Sequence, residues 1–343
     1  MGAPNLLCDT KGMTRERWLE CREHGPDGDI EYTIGGSDVS TVFGENPWMS
    51  PLALYQMKKG LLKSDDSENA NRKMMGHLME PVVAYWYGVK KGVQVIEDAG
   101  LYQHADYPYA LANLDYRILG DDGYGVLDCK TTTWRNAEEW AEDTIPHHYV
   151  LQVRFYMAVM DLDYADLACM WGFDAEKEMA IRRVWRDRDI EAMIFERLDE
   201  FIHRLRTNDP PTMSGVDPEL AMKDLARIYG ASQPALPSIA FGQKHEKALR
   251  RIATLQSDNA ELTNRINFNE KEVTALSVKI AQMMGNHERG ELVTAADRID
   301  VSYIPRLTRR PNSELLKKNH PLVFQEVLKT TCSRKVKAEV KAL

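Results

Sequence analysis

The stretch G123-Y-G-V-L-D-C-K-T131 sets the problem. Gly123 and Gly125 mark a turn, and Val126, Leu127 and the threonines after Lys130 favour an extended backbone, so the segment reads as a strand. Residues i and i+2 of a strand share a face. Asp128 and Lys130 therefore stand side by side, while Cys129 turns the other way into the protein. An acid and a base that close form either an ordinary ion pair or a reactive one, and the surrounding sequence must distinguish the two.

Upstream lies A110-L-A-N-L-D-Y-R-I118, a second extended run with Asp115 near its centre. The turn G120-D-D-G-Y-G125 joins the two as a hairpin, which brings Asp115 opposite the Asp128/Lys130 face. Asp121 and Asp122 read as exposed, inert turn residues. An acid followed at this distance by D-x-K is the PD-(D/E)xK arrangement of metal-dependent phosphodiesterases. Carboxylates are hard oxygen ligands suited to Mg²⁺ or Mn²⁺. The metal polarises a phosphate and acidifies a bound water, and the lysine orients that water or offsets transition-state charge. D-x-K also occurs in many strands without any catalytic role.

Further stretches bear on the choice. In the helical run N71-R-K-M-M-G-H-L-M-E-P-V-V-A-Y-W86, Glu80 is flanked by Met79, Val82, Val83 and Trp86. An acid in apolar surroundings needs a partner, which a metal shared with Asp115 and Asp128 supplies; on an outward face it needs none. Helix H148-Y-V-L-Q-V-R-F-Y-M-A-V159 spaces Val153, Tyr156, Met157 and Met160 for a core and sets Gln152 beside Tyr149 and Tyr156, as a site residue or a boundary polar group. T33-I-G-G-S-D-V-S-T-V-F-G44 places two glycines before Ser37, the expected N-cap of a helix. Free backbone N–H groups there suit a phosphate, although a bare cap explains Ser37 equally.

Helices are expected over 37–43, 50–59, 71–91, 134–143, 148–160 and 187–205, and strands over 93–104, 111–119, 125–133 and 165–173. That mixture implies an α/β (α+β) core around a mixed sheet flanked by helices. Domain boundaries are read as follows: 1–206 for the core, a proline-containing linker over 207–240, a long heptad helix over 241–286, and a small C-terminal α/β unit over 287–343. In the heptad segment Ile252, Asn259, Ile266, Val273 and Ile280 recur at one seam position and Leu255, Leu262, Asn269, Leu276 and Met283 at the other. The pattern fits a coiled coil between chains or a helix packed on its own chain.

Of 343 residues, 44 are Lys or Arg and 52 Asp or Glu, a net charge of −8 that by itself disfavours nucleic acid. The charge is uneven: residues 303–343 carry net +7, and a basic tail on an acidic body suits nucleic-acid contact. Five scattered cysteines without a C-x-x-C pair argue against zinc ribbons and iron–sulfur clusters and fit a reducing cytoplasm. No apolar run is long enough for a membrane span, and the N-terminus lacks a signal-peptide layout.

The stretches IGGSDVSTVFGENPWMSPLALY, MGHLMEPVVAYWYG, YPYALANLDYRI, GVLDCKTT and YVLQVRFYMAVMDLDYADLA together resemble, in order and form, the YqaJ-like phage recombination nucleases, relatives of lambda exonuclease in the PD-(D/E)xK class. The resemblance covers residues 14–205. It implies a restriction-endonuclease-like core and a Mg²⁺-dependent 5′→3′ exonuclease on double-stranded DNA ends, with Mn²⁺ able to substitute. Glu80, Asp115, Asp128 and the Cys129 backbone carbonyl would be metal ligands, Lys130 the catalytic lysine, Gln152 a supporting residue and Ser37 a 5′-phosphate contact. It further implies a homo-oligomeric ring such as a trimer, a single-strand annealing protein as partner, and a phage or prophage protein working in the bacterial cytoplasm. The arginine that usually precedes the glycine–serine stretch is replaced by the acidic run D27-G-D-I-E-Y-T33, leaving Arg17 and Arg22 as substitutes. Arg309 and Arg310 of the basic tail are further candidates for DNA contact. Two other readings remain: a restriction-type endonuclease, and a DNA-binding or assembly module with a vestigial nuclease site.

Overall fold

The computed structural model describes residues 3–63, 70–174, 176–230, 236–306 and 313–326, and the chain divides into two compact units, Met1–Gly230 and Ala231–Leu343. The first unit runs β1 (Asn5–Asp9), α1 (Arg15–His24), β2 (Ile34–Gly35), α2 (Gly36–Val42), α3 (Pro51–Lys58), α4 (Ala70–Lys91), β3 (Gln94–Glu97), β4 (Gly100–Gln103), β5 (Ala110–Asn113), β6 (Tyr116–Gly120) and β7 (Gly123–Thr131). It continues with α5 (His147–Met160), β8 (Tyr164–Met170), β9 (Met179–Trp185), α6 (Arg188–Thr207) and α7 (Pro218–Tyr229). The second unit holds α8 (Glu246–Met284), the hairpin β10 (Arg289–Val293) and β11 (Arg298–Ser302), and two short helices, α9 (Ser313–Asn319) and α10 (Pro321–Glu326), separated at Pro321. Among the described residues no helix is long and apolar enough to cross a membrane.

The expected mixed sheet is present, with strand order β3-β6-β7-β8-β9. Its β7–β8 pair is parallel and the rest antiparallel, because α5 crosses over between those two strands. α4 covers one face through Val83, Ala84 and Tyr87, against Leu127, Cys129 and Ala168. α5 covers the other through Val153, Phe155 and Met157, against Val126, Ala165 and Leu167. Strands buried on both faces read as near-continuous apolar runs, and β8, YADLACM, is buried at every position. Its one acid, Asp166, is satisfied by the Tyr87 hydroxyl at 2.6 Å and by Arg183 Nε at 2.7 Å.

A second sheet, β1-β4-β5-β2, departs from expectation. The runs 93–104 and 111–119, each read as one strand, both break and pass from one sheet to the other. The first breaks at Asp98, which is buried, accepts the Gly100 N–H at 2.9 Å and pairs with Arg117 at 2.6 Å. The second breaks at Leu114–Asp115: Leu114 turns into the core, and Asp115 leaves the ladder to meet the end of β7. The stretch 134–143 forms a 3₁₀ turn over Trp134–Trp140 rather than an α-helix, anchored by the buried Trp140. Within the 207–240 stretch, α7 belongs to the first unit: buried Asp224 accepts the Ser50 N–H at 2.8 Å, joining α7 to the N-cap of α3.

Two glycines test this packing. A Cβ on Gly36 would lie 2.4 Å from Cε1 of Tyr156, whereas one on Gly76, in α4, would meet nothing. Gly36→Ala should cost about 1–3 kcal/mol because the buried ring has nowhere to move. Gly76→Ala should gain roughly 0.5–1 kcal/mol from helix propensity alone. Urea midpoints of the two variants check the pair; equal shifts would contradict the contact.

Candidate active site

The chemistry gathers where the chain changes sheets. β6 and β7 pair from Tyr116↔Leu127 to Gly120↔Gly123, so Asp115 sits one residue beyond the last pair, at the open end of the hairpin. There its Oδ2 accepts the Cys129 N–H at 2.9 Å. A strand residue sends its N–H and C=O to the same side, so the Cys129 carbonyl also faces the Asp115 edge. Cys129 itself is buried against Val83 and Tyr87 on the α4 side, as the alternation of β7 requires.

On the opposite face Asp128 and Lys130 stand together, Nζ to Oδ2 at 2.7 Å. The Lys130 ammonium is the partner of the Asp128 carboxylate, and among the described residues no other donor reaches either buried oxygen. Asp128 is 1% exposed. Burial pushes its carboxyl up to about 6, with Asp115 adding to the rise and Lys130 opposing it. Asp115 is raised too, first by burial and then by Glu80, against the pull of Lys130 and the Cys129 N–H. Burial alone would lower Lys130, but Asp128 and Asp115 outweigh it and hold the ammonium well above its ordinary range. Lys130 is therefore a fixed cation, placed 4.9 Å over the Tyr149 ring, and not a proton acceptor at neutral pH.

α5 supplies the roof. Gln152 Nε2 donates to the Tyr156 hydroxyl at 3.0 Å, and the Tyr156 ring lies against Gly36. Gln152 is thus joined to the site through Tyr156, whose hydroxyl feels both aspartates and Lys130. Glu80 approaches Asp115 from the α4 side and is less enclosed than its apolar neighbours suggest. Val82 and Trp86 are exposed, and Glu80 Oε1 accepts from His77 Nδ1 at 2.9 Å. Among the described residues no three His, Cys, Asp or Glu side chains converge as a ready metal cage. The groups that do face one another are Asp115, Asp128 and the Cys129 carbonyl, hard oxygens of the kind that suits a hard cation, with Lys130 the one partner of the Asp128 carboxylate among the described residues.

Ser37 is not the N-cap. α2 begins at Gly36 with Gly35 as cap, and Ser37 stands exposed in the first turn. The glycine is capped from within the helix: Asp38 Oδ2 accepts the Gly35 N–H at 3.0 Å and pairs with Lys58 at 2.8 Å. Of the two candidate arginines, Arg22 reaches this turn, its Nη2 3.0 Å from where a Cβ on Gly35 would lie. Arg17 instead donates to the Pro26 carbonyl at 2.6 Å and pairs with Glu20. Arg309 and Arg310 lie outside the described residues. Asp122 is not inert: it pairs with Arg183 at 2.5 Å.

Two neighbours carry little sequence signal. His77 precedes Glu80 by one helical turn, a spacing that could have flagged it. His148 packs between Trp48 and Tyr149, with its buried Nε2 unpartnered. Burial, then Lys130, push its pKa down to about 4, so the ring is neutral at pH 7.

The raised carboxyl sets a pH signature. A carboxylate whose folded pKa lies above its ordinary value of 3.8 makes the folded protein the better proton binder between 3.8 and about 6. The stability linked to that proton is complete below 3.8 and lost as pH rises through about 6, on the order of 3 kcal/mol for Asp128. Thermal melts in a chelator should therefore show the wild type losing ground to Asp128→Asn from pH 4 to pH 7. A difference independent of pH would show that Asp128 titrates normally.

Residues 17–163 match the model of the YqaJ-like viral recombinase domain. Over 339 residues the chain is 27% identical to YqaJ of Bacillus subtilis (strain 168), an uncharacterized protein, with 96% of each chain covered. Among solved structures, the alkaline exonuclease of Laribacter hongkongensis in complex with dAMP is 19% identical with a TM-score of 0.46, covering 57% of this chain and 94% of that one. A phage-related exonuclease from Haemophilus somnus 129PT is 14% identical with a TM-score of 0.35, covering 51% of this chain and 96% of that one. The domain match spans β7, its D-x-K and the glycine–serine turn, the same motifs on which the resemblance was read. Over residues 17–163 the chain is similar to the YqaJ-like viral recombinase domain.

Proposed function

We propose that the first unit is a DNA exonuclease that degrades one strand from double-stranded ends in the 5′→3′ direction. The observation that carries this reading is the buried Asp128–Lys130 pair facing Asp115, in which Lys130 is the one partner of the Asp128 carboxylate among the described residues. Burying a charged carboxylate with a single partner is costly, and a metal-dependent phosphodiesterase site gives that cost a use. Asp115, Asp128 and the Cys129 carbonyl would hold a Mg²⁺, or Mn²⁺ in its place, with Glu80 completing the set from α4. When bound, the cation supplies charge neutralisation at the phosphate and acidifies a water.

The chain's own groups do the rest. Lys130, kept protonated by its aspartates, offsets the charge that grows on the phosphate oxygens in the transition state. Gln152 and Tyr156 hold the roof against α2 and limit water at the site. At the turn before α2, Arg22 beside Gly35 and the exposed Ser37 would receive a terminal 5′-phosphate, which is what distinguishes an end-dependent enzyme from one cutting within a strand. Arg309 and Arg310 would add phosphate contacts. The 3′ single strands left behind would be the substrate of a single-strand annealing protein.

The test uses linear duplex carrying 5′-phosphates and the same DNA as a closed circle, with Mg²⁺. Loss of linear DNA from its 5′ ends is expected, reduced roughly 10²–10³-fold by Lys130→Ala. Arg22→Ala should erase the preference for phosphorylated over hydroxyl ends while leaving the metal requirement. Cut circles would replace this reading with an endonuclease. DNA bound but intact in Mg²⁺ and in Mn²⁺ would replace it with a binding module.

A further inference from the structure

Among the described residues, the seam of α8 from Leu255 to Met283 is exposed. The helix runs 39 residues, about 60 Å, and its seam residues Leu255, Leu262, Ile266, Val273, Leu276, Ile280 and Met283 are all exposed. So continuous a stripe on a helix otherwise rich in charge is not stable in water on its own account. A shallow groove on it is lined by Ile266, Asn269, Glu270, Val273 and Thr274, and the first four are the positions that form a hole for a seam side chain of a facing helix.

We propose that α8 is an association helix whose partner is α8 of a second copy, parallel and in register. Two sequence facts choose the partner and its direction. The first seam position is mostly β-branched (Ile252, Ile266, Val273, Ile280) and the second mostly leucine (Leu255, Leu262, Leu276), the combination that favours two parallel strands. Asn259 and Asn269 interrupt the seam at different positions. A buried asparagine needs another polar group opposite, which leaves two arrangements: parallel, with each Asn facing its own copy, or antiparallel, with Asn259 facing Asn269.

The flanking charges decide between these. In the antiparallel arrangement the residues on one side of the seam meet as Arg251 with Lys279, Asp258 with Glu272, and Arg265 with itself, all like charges, while on the other side Gln256 meets Glu270 and Thr263 meets itself, with no attraction between charges to offset them. In the parallel arrangement the neighbours are Arg251 with Gln256, Asp258 with Thr263, Arg265 with Glu270, Glu272 with Ser277 and Lys279 with Met284. None is repulsive, and Arg265–Glu270 is an ion pair formed twice by symmetry. Phe268 and Val278 fall outside the seam and stay exposed in the pair.

Sedimentation equilibrium of the full chain across a dilution series tests the association. The wild type should self-associate. Arg265→Glu and Glu270→Arg should each weaken it roughly tenfold, since each turns both attractions into repulsions, and the double exchange should restore it. A full-length wild type that stays monomeric overturns the proposal, as does association that ignores both single reversals. Direction is read separately. Asn259→Cys should oxidise to a disulfide-linked dimer while the outward Ser257→Cys should not, because only a parallel pair sets position 259 against itself. A failure of Asn259→Cys to cross-link overturns the parallel register. Neither readout depends on nuclease activity, so they stand or fall apart from the proposed chemistry.

Discussion

A carboxylate taken out of water with a single cation for partner is among the costlier groups a fold can hold, and Asp128 is in that position. Lys130, 2.7 Å away, offsets the charge, and among the described residues no other donor reaches it. The low dielectric that makes the pair costly also makes each charge effective at short range, so Asp115, Asp128, Lys130, Tyr156 and His148 all titrate away from their ordinary values. A protein that kept such a pair for stability alone would do better with two packed apolar side chains. The pair makes physical sense as a site held ready for an additional positive charge.

Much of the first unit is arranged to keep that pair in place. β7 is clamped between β6 and β8, so Asp128 and Lys130 cannot change face without moving the whole register. Asp115 is freed from the ladder by the sheet change at Leu114 and spent on the Cys129 N–H, which fixes one acid relative to the other. On the far face, the Tyr87 hydroxyl bonds Asp166 and locks the rotation of α4. Glu80 lies seven residues earlier, two turns up the same face, so that lock also aims Glu80 toward Asp115. Pro81 follows it directly and removes one backbone hydrogen bond at this point of the helix.

The parts legible in sequence were those governed by short-range periodicity. The period of two put Asp128 and Lys130 together and Cys129 behind them, and the period of 3.6 located α5 and its buried face. The seven-residue repeat located α8, expected over 241–286 and found over Glu246–Met284. What resisted were decisions made by distant partners. The two sheet changes look like uninterrupted strands because the residues at the corners, Asp98 and Asp115, are explained only by Arg117 and by the Cys129 N–H. Ser37 has the composition of a cap, yet Asp38 caps Gly35 instead, since Lys58 arrives from α3 to hold its carboxylate. β9, with Arg182 and Arg183 at its centre, lacks an apolar alternation; Asp166 and Asp122 supply the charges that permit it.

On the proposed reading, the turn before α2 is where an acidic chain would receive phosphate. Asp38 already occupies the helix end that an anion would favour, but its charge is met by Lys58, which together with the Gly35 N–H and Arg22 holds the carboxyl below its usual range despite full burial. With Asp38 neutralised in this way, the Arg22 guanidinium beside Gly35 leaves the turn net positive, and Ser37 adds an exposed hydroxyl on the same turn. Local pairing thus sets the sign of the field that a DNA end would meet, within a Debye length of about 8–10 Å, and the net charge of −8 acts only beyond it. On the proposed reading, an acidic body would repel duplex in general while this one turn attracts its terminus, which would favour engagement at ends over engagement along the helix.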